Sequence, residues 1–500
     1  MGSIVGLLSL KGEDVTGKIV SMLETLRHRG PDRVVVATAR DVSASRKPED
    51  IHLSDSNSAV AVGRNYLDVT GAVSEIFSRS NRFTAMGEGV IYGGDEAGRD
   101  EDVSIDRFVL GRLENRIQMG AEGVLGEVMN RFQGEYVVTI LQGDCIFVAR
   151  DLIGAKPLYF GSSSTLMGFA SERKALWRVG LTETSPLPPG HIAAFTKAGV
   201  NVQQASTLGS PHITYTSTEA ALEEAWRRLY DACLLRVKRL SKVGVLFSGG
   251  LDSSVLAALL RRLGVDVVLY TAALEGSPSI QTAEVAAEQL GLKHRVREFT
   301  VNEVEVYLGR VLYAIERFGV VDAGVAFPFF FSSDQARREG LNVILSGQGC
   351  DEIFGGYARY LRILAQSGYD GLQGALWCDA AGMGSANLGR DDAAVMANSV
   401  ELRSPFSDVR VVKQVLEASP RLKVSGPEDG ARKHLLRRLG EKLGLPRSIT
   451  GRPKKAAQYS SGSEKALKVI SRKRGISLLT LLDGVLREEV AVKHSLKLID

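Results

Sequence analysis

Cysteine is scarce in this 500-residue chain: Cys145, Cys233, Cys350 and Cys378 lie far apart and never in a CxxC spacing. That usage excludes a disulfide framework and a cysteine-based zinc site, and it leaves free thiols in a reducing compartment. Long apolar runs are missing too; no stretch approaches the ~20 residues that a bilayer-spanning helix needs, so no membrane partner is expected. The opening MGSIVGLLSL is short, with neither a basic leader nor a cleavage site, and Gly6 stands where myristoylation needs Ser or Thr. A cytoplasmic protein is expected. Charge of one sign is also lacking: 62 Lys and Arg against 58 Asp and Glu give +4, too little for a nucleic-acid footprint. The small basic excess gathers late, in RKHLLRRLGEKLGL and KALKVISRKRG, which read as solvated helix faces. There is no internal repeat and no low-complexity tract.

What is present is the balance of a folded protein, 44% hydrophobic and 24% charged, at a length that calls for two to three domains. Residues 1–205 are strand-like: short alternating runs such as SAVAVGRNYLDV and GEYVVTILQGDCIFVAR are broken by Gly, Asp and Asn. The apolar run that starts two residues after Met1 reads either as a buried strand or as a terminus once used for chemistry. Residues 206–218 turn polar and are the candidate linker. From 219 to 500 the period changes. A helical EAALEEAWRRLYDACLLRVKRL is followed by alternating strand and helix signals: VGVLF, SSVLAALLRRL, VDVVLYTAAL, SIQTAEVAAEQL, VEVYLGRVLYAIERF and NVILS. Such alternation predicts an α/β domain with a doubly wound parallel sheet, helices on both faces, and a helical tail beyond Asp391.

The strongest chemical signal is VLFSGGLDSSVLAALL. A buried strand, Val243 to Phe247, runs into Ser248-Gly249-Gly250, and a helix begins near Asp252. Two glycines allow positive φ and a close approach of the backbone to a ligand. The helix start aims free N–H groups at that ligand, and Ser248, Ser253 and Ser254 add hydroxyls. This is an anion site, with phosphates the best fit, but no Gly-Lys-Ser/Thr follows, so it is not a Walker A loop. Asp252 beside a phosphate implies an intervening cation, Mg²⁺. A tight turn with Asp252 as N-cap would account for the glycines and the acid, but not for serines on both sides. NVILSGQGCDEIFGGY repeats the design: a strand, a glycine-rich turn, then Asp351 and Glu352. Turns beyond strand ends share a crevice in doubly wound sheets, so Asp252 and Asp351 could share magnesium, with Ser346 and Gly347 beside a nucleotide. Gly355-Gly356 marks another close backbone approach.

SGGLDSS resembles the PP-loop of ATP pyrophosphatases, which split ATP into AMP and pyrophosphate. Joined in order by LEGSPSIQTAEVAAEQLG, SGQGCDEIFGGY, RDDAAVMANSVELRSPFSD and RPKKAAQYSSG, it makes the chain from ~220 to ~460 resemble asparagine synthetase. Upstream, RHRGPD, ARDLIGAKPLYFG, FASERKAL and LPPGH resemble that family's glutamine amidotransferase domain, an αββα sandwich of the N-terminal nucleophile type. The resemblance implies ATP and Mg²⁺ as cofactors and aspartate and ammonia as substrates, with a homodimer as the family expectation. It places Leu246 and Ala272 at adenine, and Ser248, Gly249, Gly250, Asp252, Ser253 and Ser254 around pyrophosphate. Ser346 and Gly347 stand beside the nucleotide, with Mg²⁺ on Asp252 and Asp351. Lys454, with Lys455 as the second candidate, would neutralise charge on the α- and β-phosphates and be positioned by Asp392. Gln348 would act beside the reacting carboxylate, and Asp351, Glu352 and Arg403 would contact substrate.

The sequence also departs from the family. Active members begin Met-Cys-Gly-Ile and use the cysteine, freed of Met, as nucleophile; here Gly2 takes that place, and trimming Met1 would expose Gly2 rather than Ser3. Where the family reads Asn-Gly-Glu-Ile-Tyr-Asn, EGVIYG puts Glu88 and Val90 at the two glutamine-contact positions. A Ser-Asp pair is replaced near LGRLE by Gly111 and Arg112. The front domain is therefore expected to be a scaffold without glutaminase activity, the ammonia being free or supplied by a separate glutaminase. In the second domain Gln348 replaces a common Glu, Gly324 a common Arg, and Ser279 a common Asp. An adenylase for another carboxylate, similar to β-lactam synthetase, and a silent regulatory homologue are the alternative readings.

Overall fold

The computed structural model describes residues 2–54, 57–71, 76–94, 104–210, 212–453 and 461–494. Two compact units form: Met1–Thr207 together with the chain from Val490, and Leu208–Glu489.

The opening run folds as the strand Gly2–Ser9, buried along its whole length. It lies within a seven-stranded sheet, antiparallel to Val60–Tyr66 on one side and Leu166–Ala170 on the other. Successive side chains of a strand point to opposite faces, which explains the double burial. Ile4 and Leu8 pack with Val137 and Val148 of a second, six-stranded sheet, whereas Val5 and Leu7 pack with Ile19 and Leu23 of the helix Thr16–Thr25. On the far side of the second sheet, Val109 and Leu113 of the helix Ile105–Asn115 and Val124 and Val128 of the helix Gly120–Arg131 cover Val138 and Ile140. These layers make the expected αββα sandwich. Among the later residues of this unit, the His494 ring meets Trp177 edge-on at 6.4 Å.

The second unit is built on a five-stranded, all-parallel sheet in the order Lys293–Phe299, Asp266–Leu274, Lys242–Leu246, Val343–Leu345, Glu401–Arg403. The chain starts this sheet at Lys242–Leu246 and builds outward both ways, so a switch point lies between that strand and Val343–Leu345. Two strands went unseen in the sequence. Lys293–Phe299 (KHRVREF) is an edge strand whose charged side chains face water, the usual guard of an exposed edge. Glu401–Arg403 is three residues long and interrupts the tail that reads as helical. The polar stretch after Leu208 is pinned to the second unit, where Thr214 N donates to Glu417 O at 2.8 Å and Ser419 N to Tyr215 O at 2.8 Å. Among the described residues no helix is long and apolar enough to cross a membrane, and the four cysteines are free.

Candidate active site

At the switch point, the strand Lys242–Leu246 passes through Phe247 and Ser248-Gly249-Gly250 into the helix Leu251–Arg262. Gly249 has φ of 66°, and a Cβ there would meet Thr282 O at 2.7 Å and Ala283 Cα at 2.8 Å, so only glycine fits. Gly250 does not share the positive φ expected of it. It is the N-cap at φ −80°, and a Cβ on it would meet only the Ser248 hydroxyl, at 3.2 Å. Asp252 accordingly sits in the first helical turn, where its carboxylate faces the dipole's positive end. The hydroxyls of Ser248 and Ser253 are 3.4 Å apart, and Gly250 N is 3.3 Å from Ser248 Oγ. These are long hydrogen bonds, which the oxygens of an anion would readily replace.

The second turn, Ser346 to Gly349, links the strand Val343–Leu345 to the short helix Cys350–Phe354. It is tied to the edge strand: Ser346 N donates to Arg403 O at 3.0 Å, and the Ser346 and Ser404 hydroxyls are 2.9 Å apart. Both turns open onto one cavity. Leu246, Ser248, Asp252, Ser253 and Ala272 line it from the first half of the sheet, and Ser346, Gly347, Gln348 and Asp351 from the second. The structure adds Thr271, Ser279, Pro328, Phe329 and Ser332 to the wall. The Thr271 hydroxyl donates to Phe247 O at 2.6 Å and lies 2.8 Å from His294 Nε2, while burial pushes His294 down to about 4. A neutral imidazole whose Nε2–H donates to Thr271 satisfies every group in that chain.

The other expected residues stand apart from the cavity. Ser254 is fully buried, its hydroxyl without a hydrogen-bond partner among the described residues. Glu352 accepts from the Tyr357 hydroxyl at 2.6 Å and from the Asn387 amide, and its carboxyl is raised by burial and by Asp351. Asp392 is buried in the helix Gly389–Met396. The Arg403 guanidinium donates to Glu401 at 2.7 Å and to the Arg236 carbonyl, so its contribution to the cavity runs through its backbone and Ser346. Lys454 and Lys455 lie outside the described residues.

The residue that sequence reasoning missed is Lys433. Its side chain is 2% exposed, and its Nζ lies 2.6 Å from Asp252 Oδ1 and 2.5 Å from Asp351 Oδ1. The Cys350 thiol donates to Asp252 Oδ1 at 3.4 Å and sits 3.8 Å from the same ammonium. RKHLLRRLGEKLGL is therefore not a uniformly solvated face: Lys433 and Arg437 are buried, while Arg438 and Lys442 reach water. Nothing in the local spacing separates the two kinds, because tertiary contacts far away in sequence draw Lys433 inward. Gly356 is where the expected close approach occurs, and it is to this pair: a Cβ there would overlap Asp351 Oδ1 and Lys433 Cε.

The donor set suits magnesium. Two carboxylates already converge on one buried cation, and Mg²⁺ is held through one or two carboxylates, the rest of its shell coming from phosphate and water.

In the first unit, the positions that the resemblance assigns to glutamine hydrolysis are engaged by the chain's own groups. A Cβ on Gly2 would penetrate the Asn65 carbonyl group, 2.7 Å from its carbon, so this backbone has no room for a side chain. Glu88, at a position the resemblance gives to glutamine contact, has its carboxylate on Arg29 at 2.9 Å and on the Ser171 hydroxyl at 2.9 Å. Arg29 is fully buried; it also holds Glu172 at 2.9 Å and the Gly2 carbonyl at 2.9 Å. Burial would raise the Glu172 carboxyl, but Lys174, His28 and Arg29 hold it well below the usual carboxylate range. Arg112, at the other altered position, is engaged by Glu127 at 2.8 Å and stacks on Phe132.

The asparagine synthase family model matches residues 224–370 and 364–478, and the glutamine amidotransferase domain model matches residues 118–206. A putative glutamine-hydrolysing asparagine synthetase of Methanocaldococcus jannaschii is 30% identical, covering 95% of this chain and 96% of that protein. A probable asparagine synthetase of Dictyostelium discoideum is 26% identical over 89% and 81%, and asparagine synthetase B of Escherichia coli K12 is 26% identical over 92% and 82%. With two serine- and glycine-rich turns facing one cavity and a likeness that runs nearly end to end, the chain belongs to the asparagine synthetase family.

Proposed function

We propose that the chain is an ATP-dependent ligase that adenylates the side-chain carboxylate of aspartate and joins it to ammonia. A carboxylate is a poor electrophile, and oxide is a poor leaving group. Attack of the carboxylate on the α-phosphorus of ATP expels pyrophosphate and turns AMP into the leaving group that ammonia then displaces. The observation that carries this reading is the convergence of Asp252 and Asp351, from two separate strand-helix turns, on one point of a shared cavity. Ser248, Ser253 and the free N–H groups of the helix Leu251–Arg262 would hold the departing pyrophosphate. Leu246 and Ala272 would flank adenine, and Ser346 and Gly347 the nucleotide beyond it. Bound Mg²⁺ would supply Lewis-acid charge neutralisation on the phosphates, held by Asp252 and Asp351. Lys454 would add a cation at the reacting phosphorus, a role in which one donor is worth ~10²–10³ in rate. Gln348 can orient the substrate but, as an amide, cannot take a proton from incoming ammonium.

The front unit is read as a scaffold with no glutaminase activity. Support comes from the backbone filling the site of a position-2 side chain and from the protein's own Glu88 carboxylate on Arg29. Ammonia is then free or delivered by another protein.

The test is pyrophosphate and AMP formation from Mg-ATP across a panel of carboxylic acids, with ammonium or glutamine as donor. Aspartate-dependent turnover with ammonium is the expected result, abolished by Asp252→Asn. Equal turnover with glutamine would overturn the scaffold reading. Turnover with a different acid in place of aspartate would move the chain to the adenylase alternative, and no pyrophosphate with any acid would leave it a silent homologue.

A further inference from the structure

We infer that Lys433 stands in for magnesium: its ammonium holds Asp252 and Asp351 together until metal arrives with nucleotide, so that without nucleotide the site rejects free divalent cations. The inference rests on the reading of those two aspartates as metal ligands. Three independent features of the chain lead to it.

The first is placement. Nζ of Lys433 lies 2.6 and 2.5 Å from one oxygen of each carboxylate, on the lone pairs that a metal would need. Mg²⁺ binds oxygen at about 2.0–2.1 Å, so metal and ammonium cannot occupy the same point between those two oxygens. The second is charge. In a pocket where the lysine is 2% exposed, a dication would add two positive charges to carboxylates that already share an ammonium. A triphosphate brings the negative charge that makes room for both cations. The third is backbone. Arg432 and Lys433 take φ of 49° and 56°, a left-handed pair rare for residues other than glycine, and such outliers persist only where the surroundings over-determine them. Asp429 braces the bend by accepting from Ala431 N and Arg432 N, both at 3.0 Å, and Arg437 Nε holds the Arg432 carbonyl at 2.7 Å. Across the pocket, the absent side chain of Gly356 clears the space that Asp351 and Lys433 occupy. Fold and sequence thus both serve to deliver one amine to the place of the metal. Without it, the two half-buried carboxylates would lose the cation that both of them touch.

The experiment is Mn²⁺ binding, read by the electron paramagnetic resonance of the free ion, on wild type, Lys433→Met and Lys433→Arg, with and without ATP. Met matches the lysine stem without its charge, and Arg keeps a cation. Without ATP, Lys433→Met should bind Mn²⁺ at least ~10-fold more tightly than wild type. Lys433→Arg should stay with wild type. Equal affinity of wild type and Lys433→Met for Mn²⁺ alone overturns the inference while leaving the metal ligands in place. No protein-dependent Mn²⁺ uptake in any variant, even with ATP, overturns the metal assignment itself and this inference with it. Should the Met variant fail to fold, wild type carries its own test by hydrogen exchange. The amides of 432–434 should respond to Mn²⁺ with ATP and not to Mn²⁺ alone; a response to Mn²⁺ alone refutes the proposal.

Discussion

Lys423 offers the sharpest test of the packing around this site. It follows the turn Pro420–Leu422, and its carbonyl accepts from His434 N at 3.0 Å, next to Lys433. Its side chain is fully buried, and its Nζ has no hydrogen-bond partner among the described residues. Desolvation pushes the amine down from 10.5 to about 7. Three and a half units at ~1.36 kcal/mol each make the charged form about 5 kcal/mol less favourable in the folded than in the unfolded chain. The sign follows from proton counting. Between pH 7 and 10.5 the unfolded chain keeps the proton and the folded one has lost it, so stability rises with pH across that window. Below pH 7 the full penalty is present, and above 10.5 it is gone. Lys423→Met should therefore stabilise the second unit by up to about 5 kcal/mol at pH 6 and change it little at pH 10.5. Urea melts of both proteins at several pH values give the difference directly, free of the titrations they share. A Met variant no more stable than wild type at pH 6, or a gap that does not narrow with rising pH, would show that water or an anion solvates the amine.

Four further expectations concern the two candidate sites. Arg29→Met leaves Glu88 buried with only the Ser171 hydroxyl, and it should destabilise the first unit by about 3–5 kcal/mol in denaturant melts, partly restored by Glu88→Gln. A loss below about 1 kcal/mol would mean those ions are hydrated. Gly2→Cys should yield no glutamine hydrolysis and a less stable first unit; released glutamate in a coupled assay would contradict the filled site. Gly249→Ala forces a left-handed alanine into Thr282 and Ala283, and it should abolish pyrophosphate release; normal turnover would show that the turn relaxes freely. His294 should titrate near pH 4 by NMR, its stability contribution falling as pH drops from about 6.5 toward 4 because the unfolded ring binds the proton first.

The parts of the site legible in sequence are those that local chemistry dictates. A strand, a glycine-serine turn and a helix start are all written within ten residues, and Ser248, Asp252, Ser346 and Asp351 meet as read from the chain. Arg403 looked available because sequence does not reveal Glu401 and the Arg236 carbonyl as its partners. Lys433 was hidden for the opposite reason. It stands in a run of basic residues that look solvated, and its two partners are 181 and 82 residues away in sequence. In the front unit Gly2 itself was readable from the chain, but not the ion pairs that surround it. Edge strands such as Lys293–Phe299 escape because alternating charge, their guard against pairing, erases the hydrophobic signal.

The place of Gly2–Ser9 in the middle of its sheet has a consequence for biosynthesis. One neighbour, Val60–Tyr66, emerges from the ribosome some fifty residues later, and the other, Leu166–Ala170, only after most of the unit has been translated. A largely apolar segment thus waits for partners at high contact order, exposed through the interval in which a nascent chain aggregates most easily. Folding of the first unit is therefore expected to be slow and chaperone-sensitive, and the second unit should mature on its own schedule.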